Sequence, residues 1–145
     1  MAFFSKHERN NDSLTRDYDT ILKEAALLTT FTGILFGYLL NISVTALNEL
    51  NYAERITLVL ALFSITIAAS LFVMPVVYHH IQFPYSNLEK FKIRAHRFIL
   101  FGLLPTALTL YLGVILAFSP IVGIYALIIA GLPFSLVAIL YRLRK

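Results

Sequence analysis

The 145-residue chain contains no cysteine. Disulfides, thiolate nucleophiles and thiolate-held metals are therefore excluded. Charge is scarce as well: Asp, Glu, Lys and Arg make up 14% of the residues, against roughly 25% in an ordinary soluble domain. The scarcity is uneven. Four blocks, Ala25 to Leu47, Ile56 to Tyr78, Phe98 to Phe118 and Ile121 to Leu140, contain no Asp, Glu, Lys, Arg or His at all. Ion-coupled transporters, proton relays and voltage sensors keep ionisable groups at membrane depth, so these blocks argue against a proton-coupled transporter or pump.

What fills the space is hydrocarbon. Hydrophobic residues make up 59% of the chain and the mean hydropathy is +0.77. A bilayer core of about 30 Å is crossed by roughly 20 apolar residues in a helix, and each of the four blocks is long enough. The pattern predicts an all-α integral membrane protein, a four-helix bundle with spans at 25–47, 56–78, 98–118 and 121–140, behind a leader at residues 1–24. The last two blocks meet at Ser119-Pro120. As one helix they would be about 65 Å long, twice the bilayer core, so a tight hairpin turning at Pro120 is the expectation.

Orientation follows from Lys and Arg. Of the 12, all except Arg55 fall in the leader, in the stretch between the second and third blocks, or after the fourth. Both termini and the central connector are therefore expected on the cytoplasmic side of the cell membrane. The net charge of +4 and pI near 9.5 come from these flanks, where anionic headgroups account for them, and not from a basic face shaped for nucleic acid. No cleavable signal peptide is expected, because the polar leader is mixed in charge and the first block exceeds a signal's apolar core. Within the leader, Leu14, Tyr18, Ile21, Leu22 and Ala25 recur at helical spacing behind Asp12-Ser13. That predicts an amphipathic helix over Ser13 to Glu24, lying on the membrane surface or on a partner, with Met1 to Asn11 as a frayed tail.

Small and polar residues recur every fourth position in the first block: Thr29, Gly33, Gly37, Asn41 and Thr45. Gly33 and Gly37 form a GxxxG, which permits close helix approach. Thr109, Gly113 and Ala117 repeat the spacing in the third block, and Ala61, Ser64 and Ala68 give a looser version in the second. Packing within the bundle is the first reading, and homo-oligomerisation through the first span is the alternative. Asn41, the most polar side chain in any block, needs a hydrogen-bond partner in lipid, for which Ser64, Thr106 and Thr109 are candidates. Pro75, Pro105 and Pro133 each fall inside a span, where each removes one backbone hydrogen bond and bends its helix.

The connector PVVYHHIQFPYSNLEKFKIRAHR, Pro75 to Arg97, gathers His79, His80, Arg94, His96 and Arg97. The second helix should stop at Gln82, since Phe83 precedes a proline, and Ser86 with Glu89 reads as a capping box opening the next helix. Adjacent histidines on a helix point about 100° apart and cannot clamp one metal, and no HxxxH or HExxH spacing occurs. His80 and His96 could meet across the turn with Glu89 as a third ligand. The stronger reading is interfacial histidines bonded to phosphates or carbonyls, with no cofactor and no catalytic set, since no nucleophile, base and orienter converge.

Phe36-Gly37-Tyr38-Leu39-Leu40, Pro75-Val76 followed by His79 and Phe83, and Ala95-His96-Arg97 with Gly102 carry a resemblance. The chain resembles a family of small, uncharacterised four-helix membrane proteins of bacteria and archaea that carry a domain of unknown function, over about Asp17 to Leu140. His80 departs from that pattern, which more often has Arg there; this weakens a metal reading of the paired histidines. The resemblance implies a four-helix membrane fold and supplies no activity. The expected function is a non-enzymatic accessory or scaffolding subunit of a larger membrane complex, of respiratory or monooxygenase type, with the bilayer and other subunits as partners. The alternatives are a small oligomeric passive channel or transporter and, third, a metal or haem site using His80 and His96.

Overall fold

The computed structural model describes the backbone of residues 2–82 and 88–144 and the side chains of residues 19–81 and 89–144. Every element among them is helical: α1 (Ala2–Thr45), α2 (Tyr52–Gln82), α3 (Leu88–Val122), a 3-10 turn at Gly123–Tyr125 and α4 (Ala126–Leu143). Among the described residues, three helical segments, not four, are long and apolar enough to cross a membrane: Asp19–Thr45, Tyr52–Ile81 and Glu89–Leu143.

The third of these segments holds both predicted blocks, and its break lies elsewhere than expected. Pro120 sits inside α3. The interruption comes at Gly123, whose φ is +59°. A left-handed backbone costs an L-residue roughly 1–2 kcal/mol, whereas glycine adopts it freely, so the helix gives way at the glycine and not at the proline. The chain does reverse there. The rings of Tyr111 on α3 and Phe134 on α4 meet edge to face with centroids 6.1 Å apart. In one straight helix these residues would be about 35 Å apart. The two positions are nearly equidistant in sequence from Gly123, as a hairpin turning at that residue requires.

The leader also differs from expectation. α1 begins at Ala2 and runs without interruption into the first apolar block, so Asp12-Ser13 lies inside a helix and residues 2–11 are not a tail outside one. The side chains of Leu14 and Tyr18 lie outside the described residues, as do Phe83-Pro84 and Ser86. α2 is described as far as Gln82, and the stop expected at Phe83-Pro84 lies outside the described residues.

The chain divides into two compact units, and each has its own buried face. In the unit formed by Met1–Ile34 and Ile67–Leu104, burial recurs every three or four residues. Ile21, Ala25 and Thr32 are buried on α1, Ala68, Phe72 and Pro75 on α2, and Phe91, Ala95 and Ile99 on α3. This is the helical period of sides that pack on one another. The leader stripe thus ends against its own chain: Ile21 shares a small groove with Lys92 and His96 of α3. Because α1 is continuous, residues 2–24 extend the same helix that carries the first apolar block. Of the two glycines in this unit, Gly102 faces a close neighbour: a Cβ there would stand 2.5 Å from Phe72 Cε1.

In the unit formed by Leu35–Thr66 and Pro105–Lys145, the buried face comprises Leu39 on α1, Leu58, Ala61 and Ile65 on α2, Leu116 on α3, and Ala126 and Ala130 on α4. The connection into α2 is closed by a reciprocal cap. The Glu54 N–H donates to Asn51 Oδ1 at 3.0 Å, and the Asn51 N–H donates to Glu54 Oε2 at 2.9 Å. This is a capping box with Asn in the first position.

Gly102→Ala is expected to destabilise the protein by about 1–3 kcal/mol, because the fully buried Phe72 ring has no room to withdraw. Unfolding in detergent, followed by circular dichroism, gives the value. The cost should shrink in a Phe72→Leu background; an undiminished cost would show that the ring is not what Gly102 accommodates.

Candidate functional site

Polar groups inside a hydrocarbon layer have no water to bind, so the described hydroxyls are informative by their partners. On α1, Thr29, Thr30 and Thr32 donate to the carbonyls of Ala25, Ala26 and Leu28 at 2.7, 3.0 and 2.9 Å. These one-turn back-bonds satisfy the hydroxyls within their own helix. Ser64 and Thr109 do something else. Ser64 Oγ on α2 donates to the Pro105 carbonyl on α3 at 2.9 Å. Thr109 Oγ1 lies 2.9 Å from the same carbonyl and 3.4 Å from the Ala61 carbonyl of α2. One hydroxyl has one proton, so Thr109 is shared between the two acceptors, the nearer one taking the greater part. Both side chains are buried, at 5% and 1% exposure. The result is a polar clasp between α2 and α3, built from the small positions Ala61, Ser64 and Thr109.

Ser64 and Thr109, two of the expected partners for Asn41, donate instead to the Pro105 carbonyl. Asn41 is exposed on α1. One turn earlier Gly37 is also exposed, with nothing within 4 Å of where a Cβ would stand. Gly33 likewise has open space. Gly113 on α3 has none of the close contacts that its place in a small-residue repeat suggested. The close approach falls on Gly102, which the fourfold spacing did not single out.

Beside the clasp, the same unit contains an open groove of about 710 Å³. Tyr38, Leu39 and Ile42 of α1 form one wall, and Gly113 and Ala117 of α3 form the other. Glu49, Asn51 and Glu54, from the α1–α2 connection, lie at its polar end. The sequence reading assigned no role to these three residues. The Asn51-x-x-Glu54 spacing was the signal that could have found the cap.

In the first unit, the basic connector is largely helical and not a loop. His79 and His80 end α2, while Arg94, His96 and Arg97 occupy the first turns of α3. His79 is half-buried, and the other four are exposed. The two adjacent histidine rings are 5.2 Å apart and tilted by 47°. Among the described residues, no three His, Asp or Glu side chains form a group that could hold a metal ion. Tyr78 stacks on the buried Phe91 at 5.6 Å, with 12° between the ring planes. Arg94 Nη1 donates to the Tyr78 hydroxyl at 2.5 Å. Its guanidinium carbon is 5.7 Å from the ring centre, which together with that bond puts the cation at the hydroxyl rim and not over the face. The interaction is a hydrogen bond, tying the end of α2 to the start of α3. Facing it, Glu24 of α1 lines the same small groove as Lys92 and His96.

The molecule is thus an all-α chain with helices apolar enough to cross a membrane, polar contacts at the helix ends and an apolar groove. It belongs to a family of unknown function, DUF6328, whose model covers residues 7–144. No curated protein and no solved structure matches the chain.

The clasp predicts a measurable coupling. Ser64→Ala and Thr109→Val should each destabilise the protein, Ser64→Ala by about 0.6 kcal/mol, the average for interhelical hydrogen bonds in membranes. The double variant should depart from additivity because the two hydroxyls share the Pro105 carbonyl. Strict additivity in detergent unfolding would show that the two hydroxyls act independently.

Proposed function

We propose that this protein is a non-enzymatic, multi-pass protein of the cell membrane that acts as an accessory or scaffolding subunit of a larger membrane complex. The observation that carries this reading is the open surface of α1. Gly37 permits a close backbone approach that no described residue of its own chain uses, and Asn41 presents an amide beside it at membrane depth. Small residues and polar side chains are the two features that drive association of helices in lipid, where apolar surface alone supplies no attraction. A partner helix seated there would fill the space over Gly37 and satisfy Asn41 together. Low burial supports the same reading. One-third of α2's most apolar window is buried, but only 17% of α1's and 11% of that in Glu89–Leu143, so α1 and the α3–α4 segment both offer surface that the described chain does not cover.

In this proposal the α3–α4 hairpin supplies the third and fourth crossings, and both termini with the His79–Arg97 connector face the cytoplasm. The support is the positive-inside bias: Arg55 is alone on the side of the α1–α2 connection. The cysteine-free sequence makes topology simple to test. Asn48→Cys should react with a membrane-impermeant maleimide added to intact cells, and Lys90→Cys only after lysis. The reverse pattern would invert the topology.

The subunit reading is tested by mass and composition after mild extraction. The wild-type protein should migrate with other membrane proteins at a mass well above its own 16.4 kDa. Gly37→Leu should release those proteins while leaving helicity intact. A partnerless wild-type monomer, or partners retained by Gly37→Leu, would overturn the reading.

A further inference from the structure

The groove in the second unit is a cavity that the described side chains leave unfilled. At about 710 Å³ it lies within the range of roughly 300–1,000 Å³ typical of small-molecule sites. Its composition is divided along its length. The walls are aliphatic and aromatic, and Gly113 and Ala117 keep one of them shallow enough for a chain to lie against the helix. The far end is lined by two carboxylates, Glu49 and Glu54, and by Asn51. No Lys or Arg lines it. Arg55 is the nearest cation in sequence, and its Nε–H is bonded to the Leu50 carbonyl at 2.9 Å. Glu54 uses Oε2 to accept the Asn51 N–H, which leaves its other oxygen for a further donor.

We infer that this groove binds a single-chain amphiphile with a cationic ammonium head. The hydrocarbon chain lies between α1 and α3, against Ile42 and Gly113, and the ammonium sits among Glu49, Glu54 and Asn51. Charge complementarity selects this occupant. A fatty acid or an anionic lipid head would place like charges together, which is unfavourable in a partly desolvated site. A second copy of α1, the other shape that small residues accommodate, would bring Asn41 and apolar side chains and leave both carboxylates unanswered.

The test uses purified full-length protein in neutral maltoside micelles and three probes with the same twelve-carbon chain: trimethylammonium, carboxylate and neutral sugar heads. Binding is followed by calorimetry and by native mass spectrometry. The ammonium probe should bind at one site, about tenfold or more tighter than the carboxylate. Glu49→Gln with Glu54→Gln should abolish that preference without loss of helicity, because Gln at position 54 can still complete the cap. Gly113→Leu should weaken all three probes by filling the groove. Equal binding of the ammonium and carboxylate probes, or an unchanged preference in the double Gln variant, would overturn the inference. So would a dimer that Gly113→Leu converts to monomer, since the groove would then hold a second copy.

Discussion

Every polar group placed among hydrocarbon must find its partner inside the protein, and most of this structure follows from that constraint. It explains why the described chain is helical almost throughout, since a helix satisfies backbone groups within one segment. It explains the threonines of α1, whose hydroxyls turn back to carbonyls one turn earlier. It also explains why Ser64 and Thr109 end where they do. The Pro105 carbonyl accepts both hydroxyls at 2.9 Å, so one backbone atom of α3 becomes a point at which α2 and α3 are joined. Where the partner cannot be a neighbouring helix, the connection supplies it: Asn51 and Glu54 close the free end of α2 on each other.

The helices were legible in the sequence because the signals behind them are local. Apolar length marks a segment fit to cross a bilayer, and the described segments of this kind fall where that length places them. The reversal between α3 and α4 was also legible, but its position was not. Proline was taken as the stop, yet a helix can carry proline in its interior with only one donor lost, whereas a positive φ belongs to glycine. Gly123 has that φ, and Pro120 is simply carried within α3. The leader was misjudged for a related reason. A good N-cap pair at Asp12-Ser13 permits a helix to start there but does not compel it, and α1 runs through.

Packing was the least legible level. Fourfold repeats of small residues identify a face that another backbone could approach, but not whether one does. The face around Gly37 is open, and the Thr109–Gly113–Ala117 repeat divides between the clasp and a groove wall. Gly102 accepts the Phe72 ring although its fourfold neighbours in sequence are Phe98 and Thr106. A single glycine facing a single aromatic ring leaves no period to detect. The groove was invisible for the same reason, because it depends on which helices meet and how far apart they lie. Only the Asn51-x-x-Glu54 cap had a local signature, and it places the two ends of the groove's polar rim.

The polar chemistry is therefore sorted by position. Hydroxyls occupy apolar segments, where one proton and a nearby carbonyl suffice. Charged groups are confined to the ends, where their long side chains can reach water or one another. At one end of the helices, Arg94 reaches Tyr78, and Glu24 shares a groove with Lys92 and His96. At the connection between α1 and α2, the carboxylates of Glu49 and Glu54 border hydrocarbon walls. Glu54 is half-buried and Glu49 exposed, so the pair straddles the boundary with water, and a cation meeting both is screened less than it would be in bulk solvent. That boundary position separates an adventitious gap between helices from a surface with a preference of its own. Length and hydrophobicity alone would attract any hydrocarbon chain, whereas the sign of the charge at one end makes the groove able to discriminate among them.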